Sequence, residues 1–90
     1  MLSHYHDVKI HAQKRINIIK GQLAGLQKMI EEDVYCIDLL NQSLAIQNSL
    51  KSLDTILFDR HLKTHVVHQF HDEPEKAAGE LVTLFKRITK

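Results

Sequence analysis

Tryptophan is absent from this 90-residue chain, glycine occurs three times, and cysteine and proline occur once each. A single cysteine, Cys36, excludes an internal disulfide framework, and a lone thiol is most often a small buried hydrophobe. With Pro74 the only proline, long stretches run without a chain breaker, which points to a mostly helical protein. Long apolar runs are missing as well. The longest uncharged stretch, residues 39–50, is interrupted by Asn41, Gln42, Ser43, Gln47, Asn48 and Ser49, so it is not a membrane span. The first residues carry histidines and Asp7 instead of a basic patch before an apolar run; the expectation is no signal peptide and a cytoplasmic protein.

Charge of one sign is scarce too. The net formal charge is +1, so composition by itself does not announce nucleic acid. Its distribution says more. Residues 1–30 hold Lys9, Lys14, Arg15, Lys20 and Lys28 against Asp7, a balance of +4, which leaves −3 on the remainder. A basic first helix on a mildly acidic body points toward an anionic partner, although a solvated helix face would look the same.

What is present is helical periodicity. Ala12, Ile16, Ile19, Leu23, Leu26 and Ile30 recur at alternating spacings of four and three, one apolar stripe of a helix expected over 7–32. Gly21 and Gly25 sit one turn apart on another side and suggest close helix approach. EEDVY, residues 31–35, reads as a turn, and a second helix is expected over 36–66. It carries two apolar stripes: Leu39, Ile46, Leu50, Leu53 and Leu57, and Ile37, Leu40, Leu44, Phe58 and Leu62. Asp72 as N-cap, Pro74 in the first turn and Glu75 in the capping-box position open a third helix over 73–88. The fold class is therefore all-α, a three-helix protomer in a single domain spanning 1–90. A chain this small, with so wide an apolar arc, reads as an obligate oligomer.

HLKTHVVHQFH, residues 61–71, packs four of the seven histidines into one segment. His61 and His65, four apart, share a helix face. Projected at about 100° per residue, Cys36 falls on that face too, in the groove between the two apolar stripes. Yet Cys36 and His61 are separated by about 37 Å along a helix rising about 1.5 Å per residue. One straight helix cannot join them; two copies packed antiparallel can, with two sites per dimer and both apolar stripes buried in a four-helix core. A thiolate with two imidazoles suits Zn(II), Co(II), Ni(II) or Cu, with affinity falling as protons compete. Each element has a blander explanation alone: a structural cysteine and a coincidental histidine pair. A Cys–His nucleophile is the enzyme alternative, but no substrate pocket, third orienting group or oxyanion device accompanies it. A metal buffer that does not bind DNA is a further alternative; it would have no use for the basic helix.

The run RINIIKGQLAGLQKMIEEDVYCIDLLNQ, residues 15–42, followed by HLKTH at 61–65, resembles the CsoR/RcnR family of bacterial metal-sensing repressors over essentially the whole chain. The resemblance implies an antiparallel helical dimer assembling into a tetramer, with metal ligands crossing between chains. It implies a repressor that binds operator DNA without metal and is released on metal binding, derepressing genes for metal export. Arg15 and Gln22 match the family's DNA-contacting positions, with Lys14 and Lys20 as further phosphate contacts. Copper-sensing members use Cys, His, Cys, and here the last position is His65. Nickel- and cobalt-sensing members add an N-terminal histidine to Cys, His, His, a pattern matched by His4, Cys36, His61 and His65. Ni(II) or Co(II) is accordingly the expected ion. Cu(I) and Zn(II) stay open, because His6 competes with His4 and because Tyr35 resembles a tyrosine that supports the ligands in the copper branch.

Overall fold

The computed structural model describes the backbone of residues 2–64 and 66–88, and the side chains of 7–63 and 68–88. Four helices follow in order: α1 Leu2–Glu31, α2 Cys36–Thr64, α3 Val66–Asp72 and α4 Pro74–Ile88, with no strand among the described residues. The helical segments extend beyond the expected bounds in two places. α1 starts at Leu2, since residues 2–6 contain no breaker and simply continue its first turns. Residues 66–72, at and beyond the end of the expected second helix, are helical as α3, and residue 65 between α2 and α3 lies outside the described residues.

α1 and α2 form an antiparallel hairpin closed by a tight turn. Val34 N–H donates to the Met29 carbonyl at 3.0 Å and Asp33 N–H to the Ile30 carbonyl at 3.2 Å, the paired bonds of a Schellman cap. Asp33 occupies the left-handed position, at φ 54°, that glycine usually fills. The next helix begins at once: the Tyr35 carbonyl accepts from the Asp38 and Leu39 amides at 2.9 and 3.2 Å, which places Cys36 in the first turn of α2. The third boundary also shifts. The Glu73 carbonyl accepts from the Ala77 amide at 3.0 Å, so Glu73, not Asp72, caps α4, and Pro74 takes the first helical position.

The hairpin core is small: Ile19, Ile46 and Leu53 are buried, with Ala12 and Leu26 packed against them. The stripe of α1 that meets α2 differs from the one the apolar pattern suggests. Val8, Ala12, Arg15, Ile19, Gln22, Leu26 and Met29 are buried or half-buried, whereas Ile16, Leu23 and Ile30 of the expected stripe are 38 to 57% exposed. They lie on the rim of the seam.

The slab is one helix thick. Its extents are 54 × 32 × 13 Å, and a helix with side chains is about 10–12 Å across. The radius of gyration is 17.3 Å, against roughly 12 Å for a compact 90-residue domain. Its accessible surface is 7183 Å², against roughly 5400 Å² for a compact protein of this mass. The excess is roughly 1800 Å². A single layer cannot cover both sides of its helices, and large apolar side chains such as Leu23, Leu40 and Leu44 stand exposed. α4 adds to these with Val82, Phe85 and Ile88, which with Phe58 of α2, Leu81 and Leu84 line an open apolar recess.

Candidate metal centre and basic face

Cys36 stands exposed in the first turn of α2, and His61 half-buried in its last turn. α2 runs unbroken between them, so their separation along the axis is about 37 Å. Helical projection sets them within about 20° of one face. That face is flanked on one side by Leu50 and Leu57 and on the other by Leu40, Leu44, Phe58 and Leu62, all exposed. The donors therefore lie in the middle of the apolar arc that the chain leaves uncovered.

His65 lies outside the described residues, and so do the side chains of His4 and His6, whose backbone belongs to α1. Tyr35, immediately before Cys36, is 71% exposed. His68 and His71 are exposed on α3. Among the described residues, no three His, Cys, Asp or Glu side chains come together in a group able to hold an ion. A single chain thus holds the Cys36 thiol and the His61 imidazole at opposite ends of one helix. Their chemistry, one thiol and neighbouring imidazoles, fits a borderline-soft ion once a second copy supplies the missing half.

Of the four residues expected at the basic face, two share a stripe and the two lysines lie elsewhere around α1. Arg15 and Gln22, two turns apart, are half-buried along the α1–α2 seam, and Lys14 is exposed about 80–100° around the helix from them. The Arg15 Nε and the Gln22 Oε1 are each buried without a hydrogen-bond partner. Polar atoms so placed cost free energy until something pairs with them. Lys20 lies roughly 140–160° around the helix from Arg15 and Gln22. There it lines an apolar recess with Ile16, Asn17, Leu53 and Leu57.

One residue escaped the sequence reading. The Gln42 side-chain amide of α2 donates to the Gln22 backbone carbonyl of α1 at 3.1 Å, passing over Gly25. Hairpin register was the available signal. With the turn centred on residues 33 and 34, position 42 of α2 falls opposite position 25 of α1, and a glutamine facing a glycine is a polar group with room to cross.

No described helix is long and apolar enough to cross a membrane. The profile of a family described as metal-sensitive transcriptional repressors matches residues 9–87. The copper-sensing transcriptional repressor RicR of Mycobacterium tuberculosis is 38% identical over 86 residues, covering 96% of this chain and 90% of its own. The copper-sensing transcriptional repressor CsoR of Bacillus subtilis is 36% identical over 77 residues, 84% of this chain and 76% of its own. The crystal structure of the copper-sensing repressor CsoR with Cu(I) from Geobacillus thermodenitrificans superposes with a TM-score of 0.80 at 36% identity, covering 89% of this chain and 84% of that one. These likenesses support the all-helical fold; the relatives named are copper sensors, and none speaks for the expected nickel–cobalt branch. The enzyme alternative falls as well, because members of this family are repressors and not enzymes. With its matched region running from α1 to α4, the chain belongs to the CsoR/RcnR family of metal-sensitive transcriptional repressors.

Proposed function

We propose that this repressor binds operator DNA through α1 and lets go of it when Cu(I) joins two copies of the chain. The observation that carries the reading is the placement of Cys36 and His61 on one uncovered apolar face of α2, about 37 Å apart. An antiparallel second copy brings such residues together. If each copy covered its excess surface in that pairing, roughly 3600 Å² would be buried, within the range of obligate homodimers. Cys36 of one chain and His61 and His65 of the other would hold the ion, with Tyr35 beside the thiolate and two such sites per dimer. A tetramer of two dimers, acting in the cytoplasm as one domain over 1–90, completes the proposal.

When bound, the ion cross-links the two chains and neutralises the thiolate. Cys36 must give up its proton and each histidine must be neutral, so proton competition weakens the site at low pH. Arg15 and Gln22 supply the DNA contacts, with Lys14 adding phosphate attraction beside them. Drawing the first turn of α2 toward the last turn of a partner changes how α1 is presented, and so favours a state that matches DNA less well.

Copper is placed first because the named relatives sense it and one of them was crystallised with Cu(I). A second reading, Ni(II) or Co(II), is favoured by the donor set itself: with one cysteine in the chain, the remaining ligands, His61, His65 and His4 or His6, are nitrogens. Operator affinity measured by fluorescence anisotropy with stoichiometric Cu(I), Ni(II), Co(II) and Zn(II) separates the readings. A fall of tenfold or more with Cu(I) alone supports the copper repressor; a fall confined to Ni(II) and Co(II) replaces it with the second reading. No change with any of the four ends both.

A further inference from the structure

Gln42 sits on α2 six residues after Cys36, about 9 Å further along the same helix. Its side-chain amide reaches across to α1 and donates to the Gln22 carbonyl at 3.1 Å. That carbonyl lies inside the α1 ladder, where its second lone pair is free for an extra donor. Gly25 makes the crossing possible. A Cβ at Gly25 would stand 3.5 Å from the Gln42 Nε2, ordinary contact for a methyl but leaving no room for a longer side chain. Gly21, one turn earlier, has nothing within 4 Å of such a Cβ, so the close approach is local to Gln42.

The surroundings make this bond mechanically distinct. The hairpin core, Ile19, Ile46 and Leu53 with Ala12 and Leu26 against it, makes apolar contacts that are non-directional and tolerate small axial slides. A hydrogen bond weakens quickly as its distance and angle change, so it fixes the register of one helix against the other. The residue whose carbonyl is held, Gln22, is also the one whose Oε1 is buried without a partner, on the same stripe as Arg15. Cys36 and the Gln22–Arg15 stripe are thus joined by one rigid helix segment and one directional bond.

We propose that Gln42 is a positioning residue, a polar latch from α2 to the Gln22 carbonyl over Gly25, which passes displacement at Cys36 to the DNA-facing stripe of α1. This rests on the repressor reading above, and it assigns the coupling to a named side chain.

Gln42→Leu removes the donor while keeping bulk and helix propensity. Operator affinity is measured for the full chain and for this variant, with and without one Cu(I) per chain and separately one Ni(II), alongside metal affinity and oligomeric mass. In the unaltered protein, the effective ion lowers operator affinity tenfold or more. In Gln42→Leu, metal affinity stays within about threefold, but the metal-free to metal-bound ratio collapses to within about threefold of one. Gln42→Glu, which has no donor, and Gly25→Leu, which pushes the amide aside, should do the same and carry the test if the leucine variant fails to fold. Gly21→Ala should leave the ratio intact. A second readout needs no metal: the Gln42 side-chain amide protons should exchange with solvent more slowly than those of exposed Gln13. A wild-type ratio in Gln42→Leu, or equal exchange of the two amides, overturns the latch alone. Operator binding indifferent to both ions in the unaltered protein overturns the repressor reading, and the latch with it.

Discussion

Cys36 and His61 occupy one face of one unbroken helix, about 37 Å apart, with exposed leucines on both flanks. If a second copy pairs antiparallel so that residue 36 meets residue 61, the two-fold axis passes between residues 48 and 49. Leu40 of each chain then meets Phe58 of the other, on the same flank of that face. Both are exposed in the single chain, at 59% and 40%.

That register makes a charge-swap prediction. Leu40→Glu alone and Phe58→Lys alone each put a charge in the middle of an apolar interface and should shift the protein toward monomer in sedimentation equilibrium. The double variant sets Glu opposite Lys twice per dimer and should recover at least tenfold of the lost dimer affinity. If the double variant is as dissociated as the worse single one, the register is wrong.

Asp33 yields a prediction about the hairpin turn. At φ 54° it occupies a conformation that glycine adopts without steric penalty, so Asp33→Gly should raise stability by up to about 1 kcal/mol. Asp33→Val, whose branched Cβ is poorly tolerated there, should lower it by about 1–2 kcal/mol. Urea midpoints at one fixed chain concentration report both, because an oligomer's stability depends on concentration.

The helical identity and the α1–α2 turn could be read from the sequence because both depend on local rules: unbroken 3.6-residue periodicity and a short polar segment between two long runs. The seam of α1 could not. Ile16, Leu23 and Ile30 look like core by pattern, yet they sit on the rim, while Arg15 and Gln22 take seam positions through their long, partly apolar stems. An apolar pattern records every surface that becomes buried, including surface meant for another copy, so it does not separate the chain's own core from its interface. The helix over 66–72 runs beyond the expected bounds, although VVHQF continues the helical pattern. The donor set was legible as residue types on one face, whereas Gln42 required knowing which residues the hairpin sets opposite each other.

The basic face separates two lysines that composition treats alike. Arg15→Ala should weaken operator binding by about 1–3 kcal/mol and reduce the slope of log affinity against log salt by about one, with metal affinity unchanged. Lys14→Ala, exposed one residue before Arg15, should act in the same direction with a smaller loss. Lys20→Ala, beside Ile16 and Leu57 in the recess, should change operator affinity less than twofold. Anisotropy titrations at several salt concentrations measure all three. Should Lys20→Ala prove as damaging as Arg15→Ala, the DNA face lies elsewhere on α1.

Subunit mixing tests the shared site most directly. Cys36→Ala and His61→Ala chains are prepared separately, then unfolded together and refolded at equal amounts. Neither variant alone should bind Cu(I) or Ni(II) tightly. In the mixture, half of the dimers pair one variant with the other. Each such dimer rebuilds one complete site from the His61→Ala chain's Cys36 and the Cys36→Ala chain's His61. A site shared between chains therefore restores about one quarter of the wild-type tight-binding capacity. A mixture that binds no more metal than the two variants measured separately would contradict it.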